Sequence, residues 1–248
     1  MLDDPSHRAL IEFLTSIGAR LGNPAAIVVI SAHWEAQRPT LTCAPRPPLL
    51  YDYAGFPEAC YRITYPVPGH PALAAIIRQR LAAAALETEP EHLRGFDHGV
   101  FVPLKLIYPR ASIPCIQLSL VNSLDPGLHI RLGAALAGLR KENILILGSG
   151  FSFHNLREFR QGETATADTR NTAFEGWLND TLTRTDLSET ERQQRLVDWE
   201  QAPFARYCHP REEHLLPLHV CYGAAGAPGQ RVFNDTVLGK RTSAYLWS

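Results

Sequence analysis

The sequence predicts an α/β fold: one domain over residues 1–248, with a mostly parallel central sheet, helices on both faces and a further helical cover. Three observations predict it. Apolar, β-branched runs at residues 25–31 (AAIVVIS), 112–120 (SIPCIQLSL) and 143–150 (NILILGSG) read as buried parallel strands. Helix-forming stretches alternate with them. The 248 residues can bury a substantial core, and they contain no internal repeat, low-complexity segment or domain boundary.

Each element has its own local signal. Residues 4–21 read as a helix: Asp4 stands at the cap, Pro5 suits the first helical position, and Leu10, Phe13, Leu14 and Ile17 form an apolar stripe. The strand at 25–31 follows. Residues 35–70, rich in proline and aromatics, suit a long ordered loop with short strands, and such loops often line active sites. PALAAIIRQRLAAAA opens a helix on Pro71, and GFDHGVFVPLKLIYP reads as a loop entering a short helix that stops at Pro109. After the strand at 112–120 come a helix over PGLHIRLGAALAGLRK and the strand of NILILGSG. Residues 161–202 turn polar and carry two amphipathic helices, around AFEGWLNDTLTR and ETERQQRLVDWE, expected to cover the sheet. HLLPLHVCYGAAG is another apolar helix, and residues 231–247 end in the strand-like TSAYLW.

Composition narrows the function classes. A net charge of −1 lacks the basic footprint of a nucleic-acid binder, and no apolar stretch has the length of a membrane span. The N-terminus, acidic and then amphipathic, is unlike a signal peptide. Five cysteines without a CxxC pair argue against a disulfide framework or a structural zinc cluster, and Cys115 reads as a small core residue. The expectation is a reduced, cytoplasmic enzyme. Nothing in the sequence specifies an oligomeric state.

The chemistry-bearing residues are histidines. His33 and His154 each follow a predicted strand, and in open α/β sheets ligands bind beyond the carboxyl ends of strands. Small residues, Ser31 and Ala32, precede His33; Gly148, Ser149 and Gly150 precede His154 and allow either close backbone approach to a ligand or a sharp turn. That segment fits neither the G-x-S-x-G elbow nor a phosphate loop with its lysine. His214 follows Glu212 and Glu213 in HPREEH, which is not HExxH; His209 and His219 would diverge from it. His98 is framed by Gly95, Asp97 and Gly99 on a loop where it can move protons, with Asp97 as a cap for the next helix. His7, His70, His92 and His129 are expected at the solvated surface.

VVISAHWE, YDYAGFPEACYRITYPVPG, GFDHGVFVPLKLIYP, IPCIQLSL, ILILGSGFSFHNLREF and HPREEHLLPL, in this order, resemble the DOPA-dioxygenase branch of the class III extradiol ring-cleaving dioxygenases over essentially the whole chain. The resemblance implies a non-haem metal site, with iron(II) for catalysis and zinc as an alternative occupant. It maps the family's metal-site histidines onto His33, His154 and His214, with His154 either a ligand or close to metal and substrate. It makes His98 the acid/base, joined by His154. Glu213 is a lesser candidate ligand, since other class III enzymes use two histidines and a glutamate. The implied partners are a small aromatic diol and O2. One departure stands out: members of the branch begin with a short strand ending in a His-Gly-Ser-Pro-like motif whose histidine is a ligand, whereas this sequence starts at MLDDPSHRAL, aligned just downstream. A weakened metal site and an exposed sheet edge are the expected consequences. Two other readings remain: a catalytically weakened homologue acting as an interaction protein, and a zinc hydrolase using the same histidines.

Overall fold

A computed structural model describes residues 5–159 and 168–248. A 3-10 turn, Pro5–His7, leads into α1 (Arg8–Leu21); Asp4, the expected cap, lies outside the described residues. Then come β1 (Ala26–Ala36), β2 (Thr40–Thr42), α2 (Pro71–Ala83), β3 (Glu89–Glu91), α3 (His98–Ile107) and β4 (Cys115–Val121). The second half supplies α4 (Pro126–Leu136), β5 (Ile144–Ser149), the single turn α5 (Leu156–Phe159), α6 (Thr169–Thr183), α7 (Glu189–Val197), the short α8 (Ala205–Cys208) and α9 (Leu216–Ala225). It closes with a hairpin, β6 (Gln230–Val237) and β7 (Lys240–Leu246).

The sheet runs β3-β2-β4-β1-β5, with β1 parallel to both β4 and β5, and β2 antiparallel to β4. Alternation along β1 splits the core between two faces. Val28 and Ile30 pack with Leu73 and Ile77 of α2, Leu132 and Leu136 of α4, and Val220 of α9. Ile27 and Val29 pack on the opposite side with Val100, Phe101 and Leu104 of α3. Burying each such side chain contributes about 1.5–3 kcal/mol. Helices α4 and α9 touch backbone to backbone: a Cβ on Gly133 or Gly223 would collide with the carbonyl of Val220 or Ile130. The predicted cover is α6 and α7, whose Phe174, Leu178 and Leu196 close a separate core with Phe153 and Trp199.

The structure departs from the sequence reading at β5 and at His129. The strand at 143–150 is half-buried, not enclosed, because β5 is the sheet's edge and borders a cavity of about 920 Å³. The stripe of α1 faces the same cavity, so that helix fully buries no residue. The family's first strand has no counterpart among the described residues. His129, expected at the surface, is fully buried: its Nε2 accepts the Val121 N–H at 3.1 Å and its Nδ1 donates to the Asp125 carbonyl at 2.7 Å. Burial pushes it down to about 4, so it is neutral when it joins the end of β4 to α4. Strand β6 went unread because Gln230–Thr236 are exposed or half-buried on both faces and show no alternation.

Glu175 of α6 is buried and accepts a hydrogen bond from Ser243 Oγ of β7 at 2.6 Å; burial pushes its carboxyl up to about 7. The folded protein therefore holds this proton more tightly than the unfolded chain does. The stability it contributes is complete below the ordinary value of 4.5 and is lost as pH rises through about 7. In urea unfolding between about pH 4 and pH 8, the unaltered protein is expected to lose roughly 3 kcal/mol relative to Glu175→Gln. A difference that stays flat with pH contradicts this account.

Candidate metal centre

Strands β1 and β5 pair in register from Ala26 opposite Ile144 to Ser31 opposite Ser149, so both deliver their next residues to one level. On its other side β1 leaves the ladder: Ile30 faces Leu118, but the next pair is Glu35 with Leu120. The intervening residues bulge, and His33 sits on that bulge. Ser31 Oγ accepts the His33 N–H at 3.2 Å and donates to Asp97 Oδ1 at 2.8 Å. Helix α3 comes close to the same point, since a Cβ on Gly99 would collide with Ser31 Oγ.

Beyond β5, a Cβ on Gly150 would collide with the His214 carbonyl, which places the turn before α9 directly against the strand end. The Phe151 N–H points at His214 Nδ1 at 3.3 Å, and the His154 N–H donates to the Cys208 carbonyl at 2.9 Å. Arg211 grips both oxygens of Glu35 at 2.6 Å and stands 3.5 Å from Glu213 Oε2, joining the end of β1 to the same turn.

The result is a row of imidazoles. The His33 ring centroid lies 3.9 Å from that of His98 and 5.0 Å from that of His214, and the His214 and His154 rings stack at 3.4 Å. A carboxylate flanks each end of the row. Asp52 Oδ1 is 2.7 Å from His98 Nδ1, and its Oδ2 is 3.9 Å from His33 Nδ1. Glu213 Oε1 is 3.2 Å from His154 Nδ1. Burial, and then the neighbouring His98, push His33 down to about 4; burial and the adjacent imidazoles push His214 well below its ordinary value. Burial acts to raise Glu213, yet the hydrogen bond with His154 leads the contacts that hold it below the usual carboxylate range.

These residues fit a divalent metal. Neutral imidazoles offer lone pairs without first losing a proton, and mixed imidazole–carboxylate sets suit iron and zinc. Two groups bring possible ligand atoms within 4.8 Å of one another: His33, Asp52 and His98, and His154, Glu213 and His214. A carboxylate on the far ring nitrogen, as Glu213 is to His154, is the usual way of orienting a metal-binding histidine. His214 differs, because binding through Nε2 requires its Phe151 contact to give way.

Residues 2–243 match the family model described as the catalytic LigB subunit of aromatic ring-opening dioxygenase. The chain belongs to the LigB family. Within it, the relatives place the chain in the DOPA-dioxygenase branch of the class III extradiol enzymes. The dioxygenase tasH of Hapsidospora irregularis is 39% identical, over 100% of this chain and 81% of its own. A 4,5-DOPA dioxygenase extradiol of Beta vulgaris is 38% identical over 91% of this chain and 82% of its own, and one of Escherichia coli K12 is 36% identical over 84% and 75%. The crystal structure of an uncharacterized protein from Escherichia coli K12 superposes with a TM-score of 0.81 at 30% identity, covering 96% of this chain and 92% of that one. This LigB protein is therefore an oxidoreductase of the extradiol dioxygenase type.

The structure brings His33, His98, His154 and His214 together and places Glu213, the lesser candidate, beside His154. His209 and His219 do diverge; each is buried with a ring nitrogen on a backbone carbonyl, Ser152 and Leu196 respectively. Asp97 holds the N-cap position of α3, as read from the sequence, but its side chain makes no cap hydrogen bond. Its side chain turns inward to Ser31, Arg94 and Gln117, and Asp52 accepts the His98 N–H instead, at 3.0 Å. Sequence reasoning missed Asp52, whose only signal was an acidic residue inside an aromatic loop.

The backbone contact at Gly150 yields a prediction. In Gly150→Ala, His214 must retreat from the strand end, and zinc affinity measured by competition with a chromophoric chelator is expected to fall about 10–100-fold. Circular dichroism should report an intact fold. Unchanged affinity would mean that this approach does not set the site.

Proposed function

We propose that this protein opens a catechol-type aromatic ring with O2 at a non-haem divalent metal held by His33 and His214, with His154 completing the set or standing against it. The observation that carries this reading is the convergence of histidines from β1, from the loop after β5 and from the turn before α9 at one mouth of the sheet, their rings 3.4–5.0 Å apart. Iron(II) is the metal proposed for turnover and zinc an alternative occupant; when bound, the iron would bind the diol oxygens and supply the redox chemistry for O2. The cytoplasm, where five free thiols stay reduced, is the proposed location.

The chain's own residues account for the rest. His98 stands beside His33 at the first turn of α3 and takes a proton from a catechol hydroxyl, since a base must lie within reach of the proton it removes. His154, steadied by Glu213, is placed to return a proton as the ring opens. Gly99 and Val102 of α3 and Phe151 after β5 line the cavity with His33 and His214, so the ring enters a mostly apolar space. Cleavage beside the diol gives a muconic semialdehyde-type product, with both atoms of O2 incorporated.

The test is oxygen uptake on a catechol panel that includes DOPA, after anaerobic loading with iron(II), alongside metal analysis. Uptake is expected to match catechol consumed, one for one. His33→Ala and His214→Ala are expected to lose bound metal and to lower turnover by at least about 100-fold. Full metal content and turnover in both variants would refute the assignment. Ester or amide hydrolysis by the zinc form without oxygen uptake would indicate the hydrolase reading instead.

A further inference from the structure

The proline-rich loop between β2 and α2 holds a carboxylate that the reading above leaves without a task. The loop is pinned beside the start of α3: Leu50 N–H donates to the Phe96 carbonyl at 2.7 Å, Phe96 N–H to the Pro48 carbonyl at 2.8 Å, and Asp52 N–H to the Leu50 carbonyl at 3.1 Å. Its aromatic rings add to this, Tyr51 packing on Phe101 at 5.6 Å and Tyr53 edge-on to His98 at 5.5 Å. Neither tyrosine hydroxyl competes for Asp52: Tyr51 donates to the Ile63 carbonyl and Tyr53 to the Cys60 carbonyl, both at 2.6 Å.

Asp52 Oδ1 meets two groups of one residue, the His98 backbone N–H at 3.0 Å and the His98 ring Nδ1 at 2.7 Å. An ionised carboxylate only accepts, so Nδ1 must carry the hydrogen. A neutral imidazole protonated at Nδ1 keeps its lone pair on Nε2. Because the same oxygen also takes the His98 backbone N–H, Asp52 ties this ring to the first turn of α3. The other oxygen, Oδ2, is 3.9 Å from His33 Nδ1, beyond hydrogen-bond reach.

We infer that Asp52 is a positioning residue that fixes His98 as the Nδ1–H tautomer, leaving Nε2 as the proton acceptor in the ring-opening reaction. This rests on the dioxygenase reading for its effect on turnover, but the tautomer itself does not. The rival role, Asp52 as a metal ligand with His33 and His98, predicts instead that Asp52→Asn loses bound metal.

The experiment uses Asp52→Asn, Asp52→Ala and Asp52→Glu in the full chain. Nitrogen-15 histidine labelling of the metal-free protein, with His98→Gln identifying the signal, is expected to show His98 protonated at Nδ1 in the unaltered protein. Asp52→Asn should shift it toward the Nε2–H form. After iron(II) loading, Asp52→Asn and Asp52→Ala are expected to retain full metal content and to lower kcat about 100-fold, with KM for the catechol changed less than about threefold. Asp52→Glu should restore part of kcat. Loss of metal in Asp52→Asn to the degree seen in His33→Ala would make Asp52 a ligand and overturn the proposal. So would an Nε2–H tautomer in the unaltered protein, or an unaffected kcat in Asp52→Asn. Should the unaltered protein take up no oxygen with any catechol, the dioxygenase reading falls while the tautomer measurement still decides the role of Asp52.

Discussion

Backbone, rather than the imidazoles themselves, holds four histidines in one place. The parallel pairing of β1 with β5 ends both strands at the same level, and the turn before α9 presses its carbonyl on Gly150. Helix α3 is brought up to the bulge of β1 at Gly99. Every one of these approaches depends on a residue with little or no side chain, so backbone can come where a Cβ would forbid it. The rings follow from where the backbone has been put. Crowding imidazoles into a half-buried site costs stability, since ring nitrogens taken out of water lose hydration that protein contacts replace only in part. The fully buried Ile27, Val28, Val29 and Ile30, just before the bulge, are positioned to offset that cost.

The parts of the fold legible in the sequence were those whose burial leaves a pattern. Strands β1 and β4 lie in the sheet interior, and their unbroken apolar runs read directly as strands. Strand β5 reads the same way, but no local signal tells an edge from an interior position. Strand β6 has exposed residues on both faces and so leaves no alternation to read. His129 looked like a polar residue on a helix, and its burial comes from a contact with the end of β4 that spacing along the chain does not encode.

At the site, residue identity was legible and pairing was not. His33 and His154 could be named from strand ends and His98 from its glycine-flanked loop, all local features, whereas His214 was reached only through the resemblance. The partner of each imidazole could not be named. Asp97, next to His98 in sequence, holds the cap position of α3, yet its carboxylate is fully buried and turned toward Ser31. Asp52, 46 positions away, takes its place. Glu213 neighbours His214 but serves His154. In both cases the nearer carboxylate in sequence is the wrong one in space, since chain direction at a turn sends adjacent side chains to different neighbours.

The hydroxyls of Tyr51 and Tyr53 are both committed to carbonyls of their own loop. The wall they form next to His98 therefore has aromatic edges and few free donors. Between them stands the Asp52 carboxylate, so a ring substituent reaching this side of His98 meets flat aromatic edges and one negative charge. An anionic tail would be turned away there by charge and a bulky one by the rings, whereas a cationic group would be accepted.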